Sequence, residues 1–268
     1  SFKPRGMLAK LASLSPDEKA RGVISISAGN AAQAVAWGCA LEGVDCLVVM
    51  WQGASEQKIA ATRAYGATVD LQAADKEAAF VRVEDLCRER GRTLVHPYDD
   101  PIVIAGHASL AREIVEDLPA VDVIVVPVGG GGLVSGVALG ASGRRIVGVE
   151  PETSAALHAA LAAGRPVPVE AESIADALGA PVAGEHPVRI CSAAGVESVL
   201  VTDGEIEEGF RFLYERAKLA AEPGGAAAVA ALLAGRVPDV EGKTVVAVVS
   251  GGNVAPETAS GILKQISR

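Results

Sequence analysis

Three loops in this sequence carry residue types that can do chemistry, and a lysine stands near its start. "SFKPRG" sets Lys3 between an aromatic and a proline. A lysine amine holds its proton in water and becomes a nucleophile or base only where a desolvated setting lowers its pKa. Taken alone, Lys3 reads as a solvated side chain on a frayed terminus. "VIVVPVGGGGLVSGVALG" places Gly129, Gly130, Gly131 and Gly132 after an apolar run and before a small-residue helix. Four bare residues let backbone N–H groups converge on an anion at a helix N-terminus, and a phosphate is the natural occupant. The alternative is a flexible strand-to-helix turn, since the run is neither GxGxxG with an acidic ribose partner nor a GK[ST] P-loop. "SISAGNAAQA" (Ser27, Ala28, Gly29, Asn30) and "VVSGGN" (Ser250 to Asn253) end two further apolar runs. The first offers helix-start amides to a carboxylate.

These loops need elements to hold them. "VISIS", "CLVVM", "TVDL" and "TLVH" read as strands, separated by alanine-rich helical segments that end in glycine, a βαβα series that predicts a parallel sheet. "HPYDDPIVIAGH" (His96 to His107) carries two prolines and two aspartates that should break any helix or strand, and it marks the crossing into a second lobe. There "VDVIVVPV", "RIVGVE", "VESVLV" and "KTVVAVVS" resume the strands, apolar enough to be covered on both faces. "TDGE" (Thr202 to Glu205) has capping-box spacing and opens a helix through "EIEEGFRFLYERAKLA". The segment "LAAGRPVPVEAESIADALGAP" has no regular period. The expected fold class is α/β: two lobes, each a mainly parallel sheet flanked by helices, with ligands beyond the carboxyl ends of strands in the cleft between them. Residues 22–99 form the small lobe, and 1–21 with 100–268 the large cofactor-binding one.

Composition narrows the partners. The 24 basic against 33 acidic residues leave a net charge of -9 with no basic run, which argues against a nucleic-acid or anionic-membrane surface and for small molecules. Cys39, Cys46, Cys87 and Cys191 show no CxxC spacing and read as free thiols in a reducing compartment. No apolar stretch reaches the length of a membrane span and no signal peptide begins the chain, so the expected location is the cytoplasm.

Together "SFKPRG", "SAGNAAQ", "GGGGL", "AEPGGA" and "SGGN", in this order, resemble the serine/threonine dehydratase branch of the pyridoxal-phosphate enzymes related to the tryptophan synthase β subunit, fold type II. The resemblance runs from Lys3 almost to the end of the chain. It implies pyridoxal 5'-phosphate as cofactor, held covalently on the amine of Lys3, with Phe2 against its ring region. Gly129, Gly130, Gly131 and Gly132 with Leu133 would cradle its phosphate, Asn30 its phenolic oxygen and Ser250 its pyridine nitrogen. Ser27, Ala28, Gly29 and Asn30 would take the substrate carboxylate, and Glu222 matches a family glutamate that could equally be a structural acid at a helix end. The implied reaction is β-elimination of L-threonine or L-serine to a 2-oxo acid and ammonia, with Lys3 taking the α-proton. A hydroxyl at the ring nitrogen, unlike a carboxylate, holds a pyridinium weakly and favours elimination over transamination.

Several positions depart from close relatives. Serine racemases of the family carry a serine where Ala28 stands, and alanine cannot move a proton, so racemisation is expected to be poor. Many threonine dehydratases have His in place of Ala31, which makes "SAGNA" more like the serine-dehydratase variant, whereas "SGGN" is more like the threonine or racemase type. Glu150 matches a divalent-ion ligand of racemase-like members, but Ala156 stands where the second acid would be, so no metal is expected. His107 replaces a residue that is usually polar and uncharged. The sulfhydrylase branch carries threonines where this chain has "SAGNA" and "GGGGL". Relatives carry a further segment ahead of the lysine, so the resemblance implies a chain lacking its N-terminal segment. It also implies no regulatory domain after Arg268 and a homodimer or homotetramer. The alternatives are another β-substituted amino-acid lyase, a racemase, or a catalytically weak small-molecule-binding protein that keeps the loops without the chemistry.

Overall fold

The structure is a computed structural model that describes residues 1–264; residues 265–268, the end of the expected large lobe, lie outside the described residues. The chain divides into two compact units, Phe2–Gly106 and His107–Arg268 together with Ser1. The first unit runs α1 (Lys3–Ala12), α2 (Pro16–Arg21), β1 (Val23–Ile26), α3 (Asn30–Glu42), β2 (Cys46–Trp51), α4 (Glu56–Ala64), β3 (Thr68–Ala73), α5 (Lys76–Arg90) and β4 (Thr93–Leu94), and ends in the first turns of α6 (Pro101–Asp117). Its strands pair in parallel in the order β3-β2-β1-β4. The alternation of the strands sorts the core into two layers. Val23, Val48 and Met50 pack with Met7, Leu11 and Val35 from α1 and α3, whereas Ile24, Ile26, Leu47 and Val49 pack with Ala79, Val83 and Leu86 from α5. Each such large aliphatic side chain contributes about 1.5–3 kcal/mol when fully buried.

The second unit contains β5 (Val123–Pro127), α7 (Gly132–Gly140), β6 (Arg145–Pro151), α8 (Ala156–Ala163), α9 (Glu185–Ala194), β7 (Glu197–Val201), α10 (Asp203–Phe212), α11 (Pro223–Leu233), β8 (Val245–Ala247) and α12 (Pro256–Lys264). The order is β7-β6-β5-β8, again parallel throughout. α11 lies on one side against β5, β6 and β7, and α7 contacts β5 and β6. The α/β expectation therefore holds in both units. Thr202 caps α10 with both hydrogen bonds of the capping box in place; of the segment expected to lack a regular period, 161–163 end α8 and 164–181 is irregular apart from a single 3-10 turn, Asp176–Leu178. Cys39, Cys46 and Cys191 are buried and Cys87 half-buried, all as free thiols. Among the described residues no helix is long and apolar enough to cross a membrane.

Two expectations are corrected. "HPYDDPIVIAGH" does not break helical structure: Pro101 opens α6, because a proline at the first helical position gives up only an N–H that has no helical partner. Asp100 makes the start, accepting from the backbone N–H of Ile102 at 2.8 Å and Val103 at 3.1 Å. "KTVVAVVS" supplies only a three-residue, half-buried strand, β8, after which the chain leaves the ladder.

Candidate active site

Lys3 is the first residue of α1, with Pro4 in the first turn, and α1 is fixed by close approaches to two other helices. Gly38 of α3 leaves room for Leu11, since a Cβ there would stand 2.8 Å from its Cδ1. At Gly106 of α6 a Cβ would stand 2.5 Å from the Arg5 carbonyl oxygen and 2.8 Å from the Gly6 Cα. Lys10 adds an ion pair to Asp100 at 2.7 Å. Burial works against the charge of Asp100, but Lys10 and the two capping N–H groups hold its carboxyl below the usual range. Helix α1 thus carries Lys3 to one defined place. Its amine donates to the Pro97 carbonyl at 2.5 Å and lies 5.2 Å from the centre of the Phe2 ring. Withdrawal from water lowers the Lys3 pKa from 10.5 to about 8. At pH 7 roughly a tenth of the amine is therefore unprotonated, far more than for an ordinary lysine, and this is the form that attacks a carbonyl or takes a proton.

Pro97 belongs to a turn that sequence reasoning treated only as a breaker. His96 is the organiser: its Nδ1 accepts from the backbone N–H of Tyr98 at 3.3 Å and of Asp99 at 2.8 Å, so the ring proton sits on Nε2. Burial, helped by the Lys3 charge and opposed by Asp99 and Asp100, lowers its pKa to about 4 and keeps it neutral. Tyr98 packs edge-on against the imidazole with ring centres 4.7 Å apart. This turn leaves the carboxyl end of β4, and the loop Ser27–Asn30 leaves the carboxyl end of its parallel neighbour β1. The Ser27 hydroxyl accepts from the Gly29 N–H at 3.1 Å, and α3 begins at Asn30 without a side-chain cap. Lys3, Phe2 and the Ser27–Asn30 loop are thus attached to one end of one sheet, where helix-start amides suit a carboxylate.

The other expected residues fall in the second unit. Gly129–Leu133 follows β5 and opens α7, and Ser250 follows β8, the parallel neighbour of β5, so the two loops leave the sheet at the same end. The glycine loop is backed closely. A Cβ on Gly129 would lie 3.2 Å from the Leu178 Cα, and one on Gly131, whose φ is +92°, would lie 2.6 Å from the Pro187 Cβ. Gly184 donates to the Gly130 carbonyl at 3.1 Å, tying the loop to the start of α9. The backbone is thus held bare and rigid ahead of a helix N-terminus, which fits a phosphate. Each unit by itself offers what pyridoxal phosphate needs: this bare loop suits its phosphate, and the partly neutral Lys3 amine of the first unit suits its aldehyde.

Glu222, buried at the N-cap of α11, donates its N–H to the Gly251 carbonyl at 3.0 Å, beside Ser250. Its backbone therefore anchors the serine loop, a role with no sequence signal. Glu150 is also fully buried, accepting from the N–H groups of Leu157 and His158, each at 2.7 Å, and from the Ser198 hydroxyl at 3.3 Å. Burial raises its pKa to about 7 against the pull of these donors, and its carboxyl caps α8. Among the described residues no group of three or more His, Cys, Asp or Glu side chains could hold a metal ion.

Comparison with known proteins decides the family. The model of the pyridoxal-phosphate dependent enzymes matches residues 1–251. The chain belongs to this family. As a pyridoxal-phosphate-dependent enzyme it is 39% identical to a catabolic L-threonine dehydratase of Staphylococcus aureus, over 98% of this chain and 78% of that protein. The processed form of threonine deaminase isoform 2 from Solanum lycopersicum superposes with a TM-score of 0.91 at 30% identity, covering 99% of this chain and 80% of that one. Maize serine racemase superposes at 0.90 with 30% identity, over 97% and 82%.

Proposed function

We propose that this enzyme is an ammonia-lyase converting L-threonine to 2-oxobutanoate and ammonia, and L-serine to pyruvate and ammonia. The observation that carries the reading is Lys3: a withdrawn amine, partly neutral and hydrogen-bonded to Pro97, in a chain 39% identical to a threonine dehydratase. Pyridoxal phosphate supplies the electron sink that makes the α-proton of an amino acid removable. The protein's own groups do the rest. Gly129, Gly130, Gly131, Gly132 and Leu133 would hold the phosphate, Ser250 would meet the ring nitrogen and Asn30 the phenolic oxygen. Phe2 would lie by the ring, and Ser27, Ala28, Gly29 and Asn30 would take the substrate carboxylate. Lys3 would hold the cofactor through Nζ and, as the free amine, would take the α-proton of the substrate, with the Pro97 carbonyl keeping the amine in place. The β-hydroxyl then leaves with a proton as water, and a water is returned when ammonia is lost, so the net reaction is amino acid to 2-oxo acid plus ammonia.

Ala28 supports elimination rather than racemisation, because racemisation needs a second acid/base and a methyl group supplies none. The functional lobes are proposed as 22–99 against 1–21 with 100–268, acting on one cofactor. Self-association as a homodimer or homotetramer is proposed from the family resemblance. The cytoplasm is the proposed location. The test is the absorption spectrum of the cofactor-loaded protein followed by borohydride reduction and peptide mapping. Phosphopyridoxyl label on Lys3 is the expected result. Label elsewhere, or none, overturns the role of Lys3 and favours the weak-binding reading.

A further inference from the structure

The segment that carries Ser250 has no regular structure: the ladder ends with the Val248 N–H donating to the Val125 carbonyl at 2.9 Å, and α12 starts only at Pro256. Something else must fix the depth of the serine. The first turn of α11 lies directly against it. A Cβ on Gly225 would stand 2.4 Å from the Gly251 carbonyl oxygen, 3.1 Å from its nitrogen and 3.3 Å from its carbonyl carbon. That carbonyl oxygen is the one that accepts from the Glu222 N–H. On the far side, a Cβ on Gly252 would stand 2.6 Å from the Ala220 carbonyl oxygen. Backbone meets backbone at two successive glycines, and Ser250 is buried next to them.

We propose that Gly225 is a positioning residue for the enzyme's reaction: by carrying no side chain it lets α11 seat Gly251, and so sets where the Ser250 hydroxyl stands. The inference rests on the reading that Ser250 meets the cofactor ring nitrogen. An ordinary carbon–oxygen contact needs about 3.3 Å, so Gly225→Ala must push the Gly251 carbonyl back by roughly 0.9 Å. A hydrogen bond between heavy atoms about 2.8 Å apart does not survive a shift of that size with its geometry intact. Gly225 lies in a helix, where alanine is the better residue, so the substitution does not weaken α11 itself.

The experiment is a double-mutant cycle read on the absorption spectrum and dissociation constant of bound pyridoxal phosphate. The variants are Gly225→Ala, Ser250→Ala and the pair, with Gly261→Ala as control, since a Cβ at Gly261 meets nothing within 4 Å. Gly225→Ala is expected to reproduce the spectral change of Ser250→Ala, to weaken cofactor binding between about twofold and tenfold, the range of one hydrogen bond, and to add nothing in the Ser250→Ala background. A wild-type spectrum for Gly225→Ala beside a changed one for Ser250→Ala overturns the positioning role alone. An unchanged spectrum for Ser250→Ala overturns the underlying reading and the inference with it. An equal additional effect of Gly225→Ala in both backgrounds shows that it acts elsewhere and also overturns the proposal. A check on the unaltered holoenzyme does not depend on any variant folding: the Glu222 amide should be among the slowly exchanging hydrogens. Exchange at the rate of an exposed loop contradicts the seating of Gly251.

Discussion

Gly131→Ala is the sharpest test of the phosphate loop. Gly131 sits at φ +92°, where an L side chain costs about 1–2 kcal/mol. The new Cβ would also stand 2.6 Å from the Pro187 Cβ, whereas carbon atoms rest about 3.5–4.0 Å apart. Relief requires roughly 1 Å of movement between the loop and the start of α9, and overpacking of this kind costs about 1–3 kcal/mol. That movement is opposed, because the Gly184 N–H holds the Gly130 carbonyl on one side and the Gly184 carbonyl accepts from Val188 on the other. The sum is about 2–5 kcal/mol of lost stability. Gly195→Ala separates the two contributions, since Gly195 also has positive φ, +64°, but a Cβ there meets nothing within 4 Å. It should cost about 1–2 kcal/mol and leave the loop untouched. The assays are urea unfolding and titration with pyridoxal phosphate below the unfolding range. Gly131→Ala should weaken cofactor binding by about tenfold or more, Gly195→Ala by less than about twofold. Equal stability losses and equal cofactor affinities in the two variants would refute the account of a braced loop.

The depressed Lys3 pKa gives a sign for pH. Because the neutral amine is the reactive form, the rate of cofactor capture by the free protein should climb with pH and level off above about 8. A rate still climbing past the usual lysine range would mean that the amine is exposed. Replacing His96 by Leu strands the Tyr98 and Asp99 amides and should cost about 2–3 kcal/mol in chemical denaturation, with capture by Lys3 slowed. Asn, whose side-chain oxygen can accept in the same way, should recover most of both. Thr202→Ala removes the α10 cap and should cost about 1 kcal/mol without changing cofactor affinity, a comparison that checks whether stability loss alone mimics a site effect.

Much of the scaffold was legible because local rules and tertiary packing agree. The buried strands Cys46–Trp51 and Val123–Pro127, the glycine loops behind β1 and β5, and the Thr202 cap all follow from short-range pattern. The misreading at "HPYDDP" came from giving Pro101 its breaking role without weighing the helix-starting one that Asp100 makes available. The overlong reading of "KTVVAVVS" came from β-propensity that the sheet does not use beyond Ala247. The supports of the candidate site were not legible, because they are contacts across sequence. Leu178 and Pro187 back a loop about fifty residues earlier, and Gly225 meets Gly251. His96 supports Lys3 through the turn it folds and the carbonyl of Pro97.

The most direct measurement is steady-state formation of 2-oxobutanoate from L-threonine by the cofactor-loaded enzyme, run beside Lys3→Ala. The account predicts continuous release of 2-oxobutanoate with an equal amount of ammonia, abolished by the substitution. No turnover of L-threonine by enzyme that carries the cofactor on Lys3, or undiminished turnover without Lys3, would contradict it.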